Sequence, residues 1–528
     1  EEMTFIANGG APALIALLLL SAPDLAAQQS AARPLSLEEA LGLAIPASDR
    51  VVVARADVRR AEGEVKRVRG DLLPQLTGTA SYLRTLKSQY NTGSGKIDST
   101  ATAFCNRFSA IPGNPIGERV DSLERAVECL SALNPAAALT NLPFGRPNQY
   151  IFGLSFSQTL LSSAIVKGRP RAAVAGREVA RLGVATAEAQ ARLDVTQAYY
   201  DAVLSERLAA VAELSLTQAE TTLAQTRLAR AVGTKPEFDL LRAQVTRDNQ
   251  RAAVLQRRSQ RTLAYLHLNQ LIGLPLNQAV ALTTSLDEVP TGGVAAAESL
   301  LVAESDTAVD QRAAVQQADE AVTIQDVLTG VTRWERLPTV TLKSAFGQIG
   351  YPNNGFPWSA DFVSDWAVGI NVSIPLWTSG RLTGNAWVAE ASLEQAQARA
   401  SQARDGAALD ARRVVEQVQT ALATWAATQG TVEQAQRAYE IATIRYKEGI
   451  STQTELSDAR LLLEQAQGNR ATAARDARVA SARLRLLRDL PLAGVDVGAT
   501  LTSAASGLQN TQQSSGTTGI AFTPWAAQ

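Results

Sequence analysis

Four short stretches of the chain alternate between large apolar and small or polar residues, the period-two signature of a strand with two unlike faces. Tyr150, Phe152, Leu154 and Phe156 interleave with Ile151, Gly153, Ser155 and Ser157. Trp366, Val368, Ile370, Val372 and Ile374 interleave with Ala367, Gly369, Asn371 and Ser373. A weaker alternation precedes each, from Thr77 to Leu86, and where Val340, Leu342 and Phe346 oppose Thr339, Thr341 and Lys343. Strands are therefore predicted at about 75–86, 149–160, 338–347 and 366–377. After each strand pair the period lengthens. Leu204, Leu208 and Val211, then Leu216, Ala219 and Leu223, recur at spacings of three and four, with much alanine at the seam. That is coiled-coil spacing, and alanine lets helix axes approach closely. Helices are predicted from about Ser163 to Ala231 and from about Arg381 to Lys447. Each would be roughly 100 Å long at about 1.5 Å per residue.

Glycine stops both long helices, at Val232-Gly233-Thr234-Lys235-Pro236 and Glu448-Gly449-Ile450-Ser451-Thr452. Glycine ends a helix at little cost in left-handed geometry. Residues 232–236 and 448–452 are thus the expected tips of two helical hairpins. Thr234 is expected to cap the returning helix, with Pro236 in its first turn. Near the start, Ser36 and Glu39 have capping-box spacing. The helix they open is expected to break near Pro46 and run to about Gly70. Leu73-Pro74 then turns the chain toward extended geometry.

These elements recur. At an offset of 216 positions Gly153 falls on Gly369, Ser157 on Ser373, Leu160 on Leu376, Leu193-Asp194 on Leu409-Asp410, Gly233 on Gly449, Ala243 on Ala459 and Leu274-Pro275 on Leu490-Pro491. A duplication of this length sets the architecture before any local motif does. The first repeat covers about 35–275, the second 299–492, with a linker at 276–298. Leu73-Pro74 matches Leu337-Pro338 at an offset of 264, so the first strand-to-strand loop, 87–146, is 48 residues longer than the second. Cys105 and Cys129 both lie in it. Residues 1–27 read as an export signal, since Ala11 to Ala22 is apolar but shorter than the roughly 20 residues of a membrane helix, and Ala26-Ala27 suits cleavage. Acidic Glu1-Glu2 is unusual for such a signal, and Met3 is a candidate initiator. Residues 493–528, rich in Gly, Ser, Thr and Gln, read as a flexible tail.

Four strands cannot close a barrel, and a membrane sheet must close to satisfy its backbone. Three copies of the chain would supply twelve strands, enough for a hollow bore. Composition agrees with a structure without chemistry of its own. With 50 basic and 51 acidic residues the chain has no surplus charge for nucleic acid. One His and two Cys remove most metal and nucleophile constellations. No cofactor or metal is expected, and no enzymatic activity.

The chain resembles the outer membrane factor family, the TolC-like outer-membrane efflux proteins. The resemblance rests on the tandem repeat, the Leu-Pro stops, the strand exit Ile374-Pro375-Leu376-Trp377-Thr378-Ser379-Gly380-Arg381, and the tips Gly233 to Ala243 and Tyr446 to Ala459. The first repeat departs from it, reading Thr159-Leu160-Leu161-Ser162-Ser163-Ala164 at the matching exit, without Pro or Gly.

The resemblance implies a mixed fold: a trimeric 12-stranded membrane β-barrel continued by a periplasmic α-helical coiled-coil barrel. It implies a homotrimeric exit duct in the cell outer membrane, passively exporting small molecules or proteins. Such a duct serves a tripartite efflux pump or a type I secretion system, through a periplasmic adaptor and an inner-membrane pump. It places carboxylate rings of a pore constriction at Glu455 and Asp458, with Asp239 the first-repeat match of Glu455 and Arg242 that of Asp458. Tyr446 matches a tip-latch position whose usual basic partner is Ser451 here. Gly233, Thr234, Gly449, Ile450 and Ser451 match the tips that meet the adaptor. A disulfide between Cys105 and Cys129 is expected in an oxidising compartment, two free thiols being the alternative. The rival readings are a periplasmic adaptor and a coiled-coil scaffold. An adaptor needs one hairpin flanked by soluble β domains, and a scaffold leaves the four strands unexplained.

Overall fold

The computed structural model describes residues 33–86, 113–132, 147–163, 168–286, 309–352, 356–359 and 361–492. The export-signal and tail segments, and Cys105, lie outside them. The chain divides into two compact units, each drawn from three separate segments.

One unit takes Ala54–Val184, Val309–Ala407 and the residues from Leu492. It holds a four-stranded antiparallel sheet of β2 (Gln75–Arg84), β3 (Asn148–Leu161), β5 (Thr339–Gly350) and β6 (Phe362–Ser373), in the order β2-β3-β5-β6. The two repeats therefore join through β3 and β5, and one edge of each outer strand is unpaired among the described residues. Register aligns the faces. Leu76 stands opposite Phe156, Tyr82 opposite Tyr150, Leu154 opposite Phe346, and Phe346 opposite Trp366. Opposed residues share a face, so the apolar positions of all four strands form one surface. Thr79, Gly153, Gly347 and Asp365 share the other.

The strand limits shift by a few residues from the expected ones. β6 ends at Ser373 because Pro375 has no N–H to give a ladder. A bulge at Thr159/Leu161 breaks the β3 register at the first-repeat exit, which lacks that proline.

The same unit holds the later part of α2 (Asp49–Gly70), the start of α4 (Arg169–Ala231), α6 (Ala313–Arg333) and the start of α7 (Arg381–Lys447). Their seams are alanine-rich. Ala314, Val315 and Ala318 pack with Ala400, Ala403 and Ala407, and Ala172 and Ala175 with Ile324 and Val327. A further helix, α3 (Ile116–Ala132), carries Cys129 in the long loop.

The other unit takes the residues up to Val53, Ala185–Ala308 and Ala408–Pro491. It contains α1 (Leu37–Ala47), most of α4 and α7, and the returning helices α5 (Glu237–Leu271) and α8 (Gln453–Leu486). The segment read as a linker contains a strand, β4 (Val280–Leu282), which pairs in parallel with β1 (Arg33–Leu35). Three residues without alternation give no periodic signal, so pattern reading misses both strands. Tyr199 pins this small sheet to α4. Its fully buried hydroxyl donates to the Leu35 carbonyl at 2.9 Å and accepts from the Thr284 N–H at 3.0 Å. Ser36 caps α1 through the Glu39 N–H as the capping box predicts, while Glu39 itself pairs with Arg33. Arg475 on α8 binds Asp201 on α4 at 2.6 Å. No helix among the described residues is long and apolar enough to cross a membrane.

Candidate functional site at the helical tips

Both tips lie in the second unit described, and both long helices end in the same hydrogen-bonded motif. Gly233 has φ +80, Thr234 N–H reaches the Ala229 carbonyl at 2.9 Å, and Gly233 N–H reaches that of Arg230 at 2.9 Å. Gly449 has φ +73, with Ile450 N–H on the Arg445 carbonyl at 2.9 Å and Gly449 N–H on that of Tyr446 at 3.1 Å. A left-handed residue that lets its own N–H and the following one fold back satisfies the orphan carbonyls of a helix end.

The two returning helices start differently. Thr452 caps α8, its hydroxyl accepting from the Glu455 N–H at 3.3 Å. Thr234 does not cap α5, contrary to the sequence expectation. Its hydroxyl donates to the Ala229 carbonyl at 2.8 Å and so closes the outgoing helix. Pro236 occupies the cap position of α5 rather than its first turn, and has no side chain with which to bond.

Glu455 and Asp458 are exposed, three positions apart on one face of α8. Glu455 also sits where a carboxylate steadies a helix N-terminus. Asp239 is half-buried, and its backbone carbonyl is the group that is engaged. The Gln453 amide, in its hydrogen-bonding orientation, donates to that carbonyl at 2.9 Å and accepts from the Ala243 N–H at 3.2 Å. Arg242 donates to the Thr454 hydroxyl. At equivalent positions of the two repeats, Arg242 therefore ties α5 to α8, whereas Asp458 is presented to the outside.

Tyr446 is buried at the end of α7. Its hydroxyl lies 3.2 Å from that of Thr226, which already donates to the Thr222 carbonyl at 2.8 Å, so Tyr446 is the donor. The Lys235 ammonium stands 4.6 Å from the centre of the Tyr446 ring. This cation beside Tyr446 comes from the first tip of the same protomer, a pairing that the sequence did not reveal. Ser451 is buried, and its hydroxyl has no hydrogen-bond partner. Gly233, Thr234, Gly449 and Ile450 are exposed.

Behind the tips the four helices leave a narrow crevice of about 10 Å³, lined by Thr222, Thr246, Tyr439, Gln453, Ser457 and Arg460 among others. Burial pulls the Arg460 guanidinium below its usual pKa, while the nearby Glu464 opposes that shift. Arg460 Nε has no hydrogen-bond partner. Nothing in this arrangement assembles a nucleophile with a base. Among the described residues no cluster of His, Cys, Asp and Glu is suited to a metal, and no cysteine is a free thiol.

The model of the family described as outer membrane efflux protein matches residues 136–274 and 302–488, one match to each repeat. The chain belongs to the outer membrane efflux protein family. It is an outer-membrane efflux channel of the TolC-like kind, a transport protein without enzymatic activity, with its helical extension in the periplasm. Channels of this family are trimeric parts of tripartite pumps.

Solved structures agree on the fold of this efflux channel. The Campylobacter jejuni CmeC outer membrane channel is 17% identical, with 89% of each chain covered and a TM-score of 0.65. The open state of the Neisseria gonorrhoeae MtrE outer membrane channel is 18% identical, covering 86% of this chain and 89% of that one, with a TM-score of 0.63. The outer membrane protein VceC of Vibrio cholerae is 18% identical, covering 85% and 95%, with a TM-score of 0.62. No curated protein sequence matches the chain significantly.

Proposed function

We propose that three copies of this chain close one twelve-stranded barrel, and that the resulting duct passively exports small molecules delivered by an inner-membrane pump through a periplasmic adaptor. The observation that carries the reading is the open sheet, in which β2 and β6 each have an edge that is unpaired among the described residues. Unpaired backbone is not tolerated in lipid, and threefold closure removes every edge. In that assembly Glu455 and Asp458 contribute six carboxylates to one narrow ring, which favours cations. Asp239 serves the constriction through its backbone tie to Gln453 rather than as a third ring member. Tyr446 latches the tip through Thr226 and Lys235. Gly233, Thr234, Gly449 and Ile450 form the surface that the adaptor meets, and Ser451, being buried, is not part of it. Cys105 and Cys129 pair and restrain the external loop.

The test is the electrophoretic state of the protein from an outer-membrane fraction. Trimers that resist detergent and fall to monomers on boiling are expected. A protein that stays monomeric without heating, and opens no conductance in planar bilayers, would count against the reading.

A further inference from the structure

The long loop between β2 and β3 carries α3, which the tips do not involve. Its large apolar residues include Ile116, Val120, Leu123 and Val127, at spacings of four, three and four. That is the seam of a coiled coil, with Ile116 and Leu123 at d and Val120 and Val127 at a. Among the described residues nothing covers this seam, for its four side chains are 47% to 78% exposed. The side that α3 turns to its own chain is a different one. Ser122, Ala126 and Cys129 are half-buried there, on a strip roughly a third of a turn away from the seam.

The flanking charges select the partner. Arg119 lies on one side of the seam and Glu124 on the other, at the g and e positions. Arg125 has Asp121 four positions before it and Glu128 three after, the spacings of helical ion pairs. Arg119 and Glu124 have no opposite charge at such a spacing, and neither makes an ion pair among the described residues. They are five positions apart, the offset between a g residue and the e residue it meets on a parallel neighbour. An antiparallel copy would set Arg119 against Arg119, and a lipid surface would leave Glu124 without a cation. Reach is sufficient. Twelve strands about 4.8 Å apart and tilted by about 40° give a barrel radius of about 12 Å. The fourteen residues 133–146 that follow α3 can span up to about 50 Å.

We propose that α3 is an interaction surface for further copies of itself. Three copies pack in parallel about the threefold axis at the outer mouth of the barrel, with Val120 and Leu123 in the seam and Arg119 of each copy paired with Glu124 of the next. The proposal rests on the trimeric reading, whose axis makes the copies parallel and fixes their number. Valine at a with leucine at d would by itself favour two strands. A helix of 17 residues is marginal alone, and the shared barrel offsets this by holding its partners at high effective concentration.

Chemical crosslinking of the full-length protein in outer membranes, with its native cysteines kept, tests this. Val120→Cys treated with a short bismaleimide is expected to give covalent dimers about tenfold faster than Arg125→Cys, which lies on the opposite face of α3. Adding Arg119→Glu to the Val120→Cys chain should slow the linkage about tenfold, and adding Glu124→Arg as well should restore it. Heat-modifiable trimers are assayed in the same samples. Trimers without linkage at Val120→Cys would overturn the proposal and leave the channel reading standing, whereas absence of trimers would overturn both. Equal linkage in the Val120→Cys and Arg125→Cys chains, or linkage indifferent to Arg119→Glu, would mean colliding loops and overturn the proposal. A bimane label on Val120→Cys that brominated phospholipid quenches would assign the seam to the membrane instead.

Discussion

Glu455 joins a local structural role to the pore role proposed for it and for Asp458. Glu455 steadies the start of α8, where Thr452 already caps its N–H, and Asp458 lies one turn on along the same exposed face. Removing both charges with Glu455→Gln and Asp458→Asn preserves side-chain size and the Thr452 cap. The expected result in planar bilayers is altered conductance and reduced cation selectivity, with trimers intact. Unchanged selectivity would move these carboxylates off the pore.

Glu320 offers a second test at the same scale. Burial, then the charges of Glu178 and Asp319, raise its pKa above 4.5. The folded state therefore holds a proton that the unfolded chain has released, and stability falls as pH rises through that window. Glu320→Gln should denature at a higher temperature than wild type at pH 7 and match it below about pH 4. Scanning calorimetry of the purified protein at the two pH values checks the sign.

At the scale of elements, the long helices are set by alanine seams and ended by glycine. α4 has 63 residues and α7 has 67, roughly 95 and 100 Å of helix. Their C-terminal limits were legible because a left-handed stop has few alternatives to glycine. The partners at the tips were not legible. Gln453 reaching Asp239 and Arg242 reaching Thr454 depend on how α5 meets α8, and no local spacing encodes that meeting. Lys235 over Tyr446 is the same case, a pair 211 positions apart. Gly233→Val combined with Gly449→Val places β-branched residues at positive φ, which only the two tips need to absorb. Crosslinking to the adaptor should be lost while trimers persist. If trimers are lost instead, the glycines serve only to turn the chain.

At the scale of the whole molecule, the duplication becomes a shared wall. β3 of the first repeat pairs with β5 of the second, so neither repeat has a closed surface of its own. In the proposed trimer, closure comes from other copies through β2 and β6. Cysteines introduced at Thr79 and Gly369, in a chain with Cys105 and Cys129 changed to Ser, should give covalent dimers and trimers on mild oxidation of outer membranes. Neighbouring cysteines along those strands should do so with a sharp dependence on register. Monomers at every position would exclude pairing between these two edges.

The sequence by itself determined the repeat, the four alternating strands and the helix-ending glycines. Each is a property of residue type and spacing along one segment, and steric or burial preference fixes it locally. Tertiary structure alone decided the β2-β3-β5-β6 order and the cross-strand register that joins four apolar faces into one. It also decided the parallel pairing of β1 with β4, and the use of Thr234 to close α4 rather than to cap α5. The strand order, the register and the β1–β4 pairing follow from contacts between distant segments, where the free energy of burial and of satisfied backbone depends on which segments meet, whereas Thr234 chooses between two local partners and takes Ala229, five residues back.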